Sequence, residues 1–210
     1  MNHQNHKIFH YKGLNVKLHP EVYEPAEDTF LLLEAIKIDK NDKVLEIGTG
    51  CGIISLECAR RGAKVVCTDI NPYAIELAKK NFLENQFLLN EKIEFRKGSL
   101  FSIIKNNERF DVIIFNPPYL PTNSSEQVDK WFDVAVDGGI DGLKIIEQFL
   151  ESVKKHLTKN GLAYFVYSSL SNQKKLNNIL SINGLNAEKV SSQWFDDEKI
   201  DVYCVQSQYK

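Results

Sequence analysis

The chain has four cysteines, at 51, 58, 67 and 204, and they form neither a CxxC pair nor a metal-finger spacing. That argues against a disulfide scaffold and a zinc framework, and it fits a reducing compartment. The four read as small buried apolar residues. No apolar run approaches the roughly 18 residues that a membrane-spanning helix needs, so no membrane contact is expected. The opening Met1-Asn2-His3-Gln4-Asn5-His6-Lys7 lacks the apolar stretch of a secretory leader, so a cytoplasmic location is expected. Neither sign of charge is in excess: 26 Lys and Arg face 28 Asp and Glu, for a net charge of −2. No strong pull toward nucleic-acid phosphates follows. His3, His6 and His10 lie in or beside the terminus without carboxylate support, so no metal site is expected there. No internal repeat and no low-complexity linker interrupts the 210 residues. That length suits one sizeable core.

Short apolar runs alternate with helical stretches, the pattern of an α/β fold with a mostly parallel sheet and helices on both faces. Strands are expected at Lys43–Ile47, Lys64–Thr68, Lys92–Arg96, Phe110–Phe115 and Leu162–Tyr167. Helices are expected over Cys51–Arg61, Pro72–Leu83, Gly142–Leu157 and Asn172–Leu180, with Asn160-Gly161 stopping the third. Segments near Ala187–Val190 and Asp201–Val205 complete the sheet with an antiparallel edge. Residues 1–40 form an extension packed on the main unit: a small hairpin around Gly13, then a helix over Ala26–Ile36. Residues 41–210 form one compact unit. Two turn-rich loops, Pro121–Gln127 and Asp137–Gly142, follow the fourth strand and border the expected site.

Three features fall at carboxyl ends of those strands, where open α/β sheets bind ligands. The first is Glu46-Ile47-Gly48-Thr49-Gly50-Cys51-Gly52, a tight glycine turn that permits close backbone approach. Its spacing is GxGxG, so it fails the dinucleotide fingerprint, and it carries no Lys-Ser or Lys-Thr of a triphosphate loop. The second is Asp69, about twenty residues on, placed to accept ribose hydroxyls. A ribose ligand without pyrophosphate fits better than NAD, and S-adenosylmethionine (SAM) is one. Glu46 suits the cationic amino-acid end of SAM, and Ile70 can pack on the adenine. The third is Asn116-Pro117-Pro118-Tyr119. Two prolines remove N–H donors and bias the loop to extended backbone, so it offers mostly acceptors. The Asn116 amide oxygen and the Pro117 carbonyl can then take both N–H groups of one planar NH2, with Tyr119 across its face.

Together these residues resemble class I SAM-dependent methyltransferases acting on a planar nitrogen. The segment Val22-Tyr23-Glu24-Pro25-Ala26-Glu27-Asp28-Thr29-Phe30-Leu31-Leu32, with the Gly-Gly-Ile-Asp-Gly loop, is narrower. It resembles the archaeal and eukaryotic branch of HemK-type protein glutamine methyltransferases. The resemblance implies a Rossmann-like fold and methylation of a glutamine amide in the Gly-Gly-Gln motif of a translation release factor. It implies that Thr29 touches the methionine end of SAM, that Glu46, Gly48, Gly50, Gly52 and Asp69 line it, and that Asn116 meets both cofactor and substrate. Ser99 and Leu100 stand where the family often has an acidic contact to adenine, and a serine hydroxyl bonds that amine less strongly than a carboxylate. A small zinc-binding activator protein is also implied, docking near Phe87, Leu88 and Leu89 beside the third strand, although those residues can equally cap their own core. Rival readings are an adenine N6-methyltransferase on DNA or RNA, a protein lysine methyltransferase, and a SAM-binding scaffold without turnover.

Overall fold

The structure is a computed structural model that describes residues 7–122 and 130–207. β1 (Ile8–Tyr11) and β2 (Leu14–Lys17) pair antiparallel. Lys12 and Gly13 between them both take positive φ, as a two-residue hairpin turn demands. Leu14 and Val16 point inward while Asn15 faces out, the alternation of a strand with one buried side. α1 (Glu27–Ala35) follows and buries Leu31, Leu32 and Leu33.

The main unit then runs β3 (Lys43–Ile47), α2 (Ile53–Arg60), β4 (Lys64–Asp69), α3 (Pro72–Asn85), β5 (Ile93–Lys97) and β6 (Phe110–Phe115). It continues with α4 (Trp131–Val136), α5 (Lys144–Val153), β7 (Leu157–Ser168), α6 (Gln173–Ile182), β8 (Leu185–Phe195) and β9 (Glu198–Ser207). Seven strands form one sheet in the order β5-β4-β3-β6-β7-β9-β8. The first five in that order are parallel. β9 runs antiparallel to β7, and β8 closes that edge as its hairpin partner. The chain winds outward from β3 to β5, then returns at β6 beside β3. That reversal opens a crevice at the carboxyl ends of β3 and β6.

Alternation along β6 shows why the sheet is covered on both faces. Val112 and Ile114 join one apolar cluster with α1, α2, α3 and the hairpin. Ile113 and Phe115 join the other, with α5 and α6. A strand buried on both sides reads as a continuous apolar run, and Phe110–Phe115 does. The hairpin is bolted to α3 by two asparagines one turn apart. Asn81 and Asn85 each accept a β2 backbone N–H, from Lys17 and Asn15, and each donates to the same residue's carbonyl, all at 2.8–3.0 Å.

Three sequence expectations need correction. The helix expected over Gly142–Leu157 ends earlier, at Val153, tightens into a 3-10 turn over Lys154–His156, and gives way to β7 at Leu157. Leu157 is buried opposite Phe110, so its apolar side chain belongs to the strand's register. Gly161 stops no helix. A Cβ there would lie 2.9 Å from the Phe110 carbonyl oxygen, so it permits close strand approach at a bulge. β8 and β9 are far longer than the segments expected at 187–190 and 201–205, because β8 is mostly exposed and carries little apolar signal. α4 was not expected at all. Among the described residues, no helix is long and apolar enough to cross a membrane.

Candidate active site

A cavity of about 300 Å³ lies over the carboxyl ends of β3, β4 and β6. Its floor is the turn after β3. Gly48 and Gly50 line it at φ of 68° and 54°, a region that costs an L side chain strain. Gly52 does not line the cavity. Its φ is 87°, and a Cβ there would sit 3.0 Å from the Cβ of Ala78, so this glycine lets α2 pack on α3.

Glu46 lies beneath the turn, buried. Its Oε2 accepts from Thr49 Oγ1 at 2.7 Å, from the Ser55 N–H at 3.1 Å, and from the Ser55 hydroxyl. Burial pushes its carboxyl up to about 8; those hydrogen bonds oppose the shift and the nearby Asp69 charge adds to it. Asp69 closes β4. Its two oxygens accept from the backbone N–H groups of Gly50 (2.9 Å) and Asn71 (2.8 Å), and each keeps lone-pair capacity for a ligand. Burial raises its pKa. Ile70 lines the cavity, half exposed. Beyond β5, Ser99 lies exposed at the rim, and Leu100 sits in the left-handed region at φ 46°. Leu100 is held there by a tight turn in which the Ser102 N–H reaches the Ser99 carbonyl at 2.9 Å.

Asn116, Pro117 and Tyr119 also line the cavity. Asn116 Nδ2 donates to Asp28 Oδ2 at 3.0 Å, with Thr29 Oγ1 at 3.4 Å. Its Oδ1 is buried and, among the described residues, has no hydrogen-bond partner. A buried amide oxygen left unpaired is costly and uncommon, and at a cavity wall it marks a place for a ligand donor. The Tyr119 hydroxyl donates to Asp28 Oδ2 at 3.0 Å. Its backbone is held by the Ser171 hydroxyl, which donates to the Tyr119 carbonyl at 3.0 Å. Leu120 N–H and carbonyl bond Val136 and Gly138. A Cβ on Gly138 would lie 2.7 Å from the Tyr119 carbonyl carbon, so the Asp137–Gly142 loop buttresses the Asn-Pro-Pro-Tyr loop backbone to backbone. The other turn-rich loop is described only at Pro121 and Thr122; residues 123–127 lie outside the described residues.

Sequence reasoning assigned Thr29 a site and passed over its neighbour. Asp28 is buried and is the hub of the wall: Tyr23, Tyr119, Asn116 and Thr29 all donate to it. An acidic residue in a helix's first turn ordinarily reads as a solvated cap, and no periodicity marks this one as inward. Trp131 and Val136 of the unexpected α4 complete the lining. α4 is tied to the extension, where the Trp131 N–H donates to Glu21 at 3.2 Å and Phe132 stacks on Tyr23 at 6.3 Å between centroids. Among the described residues no group of His, Cys, Asp and Glu forms a metal cluster. His10 pairs with Asn15, while His3 and His6 lie outside the described residues.

A glycine turn, an acidic strand end and a proline-stiffened loop over one switch point define the class I, Rossmann-like methyltransferases. The family described as Methyltransferase small domain matches residues 24–190. The chain belongs to that family, in its HemK-type protein N5-glutamine methyltransferase branch. It is 46% identical to a Methanocaldococcus jannaschii protein provisionally named a protein N5-glutamine methyltransferase, over 86% of this chain and 89% of that one. It is 32% identical to human Methyltransferase HEMK2, over 87% and 88% of the two chains. Among solved structures, the Mtq2-Trm112 complex of E. cuniculi, responsible for methylation of the eRF1 translation termination factor, superposes with a TM-score of 0.68. That match is 23% identical and covers 90% of this chain and 99% of the other, a likeness of fold.

Proposed function

We propose that the protein transfers a methyl group from SAM to the side-chain amide nitrogen of a glutamine, in the Gly-Gly-Gln motif of a translation release factor. The observation that carries this reading is the buried Asn116 Oδ1 at the cavity wall, unpartnered among the described residues. The relatives' names support the glutamine, and the family supports SAM.

The residues present fit that cofactor. Gly48 and Gly50 allow close approach, Asp69 offers carboxylate lone pairs to a ribose diol, and Glu46 offers a carboxylate toward an ammonium. Ile70, Ser99 and Leu100 stand on the adenine side, and Thr29 on the methionine side. SAM supplies an electrophilic methyl on a sulfonium. The chain's part is to hold a poor nucleophile still. A glutamine nitrogen shares its lone pair with its carbonyl, and Asn116 Oδ1 with the Pro117 carbonyl accept its two N–H groups. Both acceptors stabilise the positive charge that develops on nitrogen, and a fixed geometry lowers the entropic barrier. Tyr119 covers the flat amide and excludes water. No strong base is required before attack: as the N–C bond forms the S–C bond of the sulfonium breaks to leave a neutral thioether, and the methylated nitrogen then gives up one of its two protons to water. Residues 1–40 serve as an extension that completes this wall, residues 41–210 as the catalytic unit, and a release-factor substrate places the reaction in the cytoplasm.

Glu46 gives the cofactor reading a proton signature. With its carboxyl up at about 8, it is mostly protonated at pH 7 in the free protein. An ammonium bound beside it favours the carboxylate, so SAM binding at pH 7 releases close to one proton. Affinity therefore rises as pH climbs toward 8. Calorimetry in buffers of different ionisation enthalpy measures the release, and Glu46→Gln should abolish it. A release that persists in Glu46→Gln removes Glu46 from the binding account.

An activator fits the sheet's free edge at β5. Phe87 is 91% exposed, with Leu83 and Leu88 exposed beside it, while Leu89 packs on the chain's own core. We infer that a small zinc-binding partner docks there, as Trm112 accompanies Mtq2 in the complex above. Co-expression and native mass spectrometry should give a one-to-one complex that Phe87→Asp dissolves. Two separate species with the wild-type chain contradict it.

The substrate test incubates labelled SAM with a release factor carrying Gly-Gly-Gln, its Gln-to-Ala variant and an oligonucleotide. Label is expected on the first alone. Label only on the oligonucleotide overturns the reading in favour of an adenine acceptor.

A further inference from the structure

A primary amide has two ends of nearly equal size and opposite chemistry, an oxygen that accepts and an NH2 that donates. Which end of Asn116 faces the cavity decides whether the site can receive an N–H group. Every group around the other end is an acceptor. Asp28 Oδ2 lies 3.0 Å from Nδ2. Thr29 Oγ1 spends its own proton on Asp28 Oδ1 at 3.1 Å, which leaves one lone pair for the Ala26 N–H and one toward Nδ2. The Asp28 carboxylate also accepts the Tyr119 hydroxyl (3.0 Å), the Tyr23 hydroxyl (3.3 Å) and the Thr29 N–H. Burial, and the Asp28 charge after it, raises the pKa of both tyrosines, so both stay protonated donors. With that many donors converging on it in the first turn of α1, the Asp28 carboxyl group acts as an acceptor toward every partner. A reversed Asn116 would set its oxygen against a carboxylate oxygen at about the same 3.0 Å, with Asp28 only 4% exposed and little water to relieve the repulsion.

We propose that Asp28 is a positioning residue that locks the Asn116 amide with its oxygen toward the acceptor nitrogen, so that the N-terminal extension sets the polarity of the site. The proposal rests on the reading above that Asn116 Oδ1 receives the N–H of a planar NH2. It separates Asp28 from a mere staple between α1 and the Asn-Pro-Pro-Tyr loop, because a staple needs only shape and hydrogen bonding, not acceptor-only character.

The test exchanges the two chemistries. Asp28→Asn is isosteric but can donate, so Asn116 is free to turn. Its kcat should fall about thirtyfold while SAM affinity stays within about threefold of wild type. Adding Asn116→Asp gives position 116 a carboxylate, which has no donor end to misdirect. The double variant should regain about tenfold in kcat over Asp28→Asn, a non-additive gain. Asn116→Asp alone, with two carboxylates facing each other, should be worse than the double. Three results overturn the proposal: wild-type kcat in Asp28→Asn, a double variant slower than Asp28→Asn, or loss of SAM affinity in step with turnover, as misfolding gives. The kinetics use whichever acceptor the wild-type protein labels. No label on the glutamine substrate sinks the substrate reading alone, since the Asp28 role holds for any planar NH2.

Discussion

Asn116→Ala should lower kcat about a thousandfold and leave SAM affinity within about threefold. The asymmetry follows from where the two ends of the side chain go. Nδ2 is one of several donors on Asp28, so its loss leaves that carboxylate still bonded by Tyr23, Tyr119 and Thr29, and the wall keeps its shape. Among the described residues Oδ1 has no partner, so its loss is felt only when an acceptor nitrogen is present. An interaction that tightens as charge develops lowers the barrier without tightening the ground state. Single-turnover kinetics with calorimetric SAM binding separates the two. A parallel loss of turnover and SAM affinity would remove Asn116 from the reacting centre.

Asp69→Ala should give the mirror-image result. SAM affinity is expected to fall roughly a hundredfold, while kcat at saturating SAM stays within about tenfold. Hydrogen bonds to a charged group contribute about 1.5–3 kcal/mol, and about 2.7 kcal/mol is a hundredfold in Kd. Asp69 acts twice. It offers its free lone pairs to a ribose, and it holds the Gly50 and Asn71 N–H groups, so its removal also loosens the glycine turn. Calorimetric titration measures the first effect. Unchanged affinity would place the ribose elsewhere.

Much of the frame was legible because the physics that builds it is local and periodic. Phe110–Phe115 and Lys43–Ile47 are buried on both faces, and their apolar runs end where the strands end. Asn71-Pro72 marks the start of α3, with Asn71 Oδ1 accepting the Tyr73 N–H at 2.9 Å. Glycine turns, strand-end acids and X-Pro-Pro loops carry their backbone chemistry in their letters. What stayed hidden depends on contacts far along the chain. Gly52 looks like its neighbours in the turn, yet it answers to Ala78. Gly161 resembles a helix stop and is a close strand contact. α4 is six residues with none buried, too short to show a period. Asp28 meets Asn116 across 88 residues, and only the fold reveals that its side chain turns inward.

The most direct test of the account is the structure of the protein bound to S-adenosylhomocysteine and a Gly-Gly-Gln peptide. The target amide nitrogen should lie within about 3.2 Å of Asn116 Oδ1, with the ribose on Asp69 and the Asn116 amide still donating to Asp28. A peptide amide held away from residues 116–119, or Asn116 turned to present its NH2 to the ligand, would contradict it.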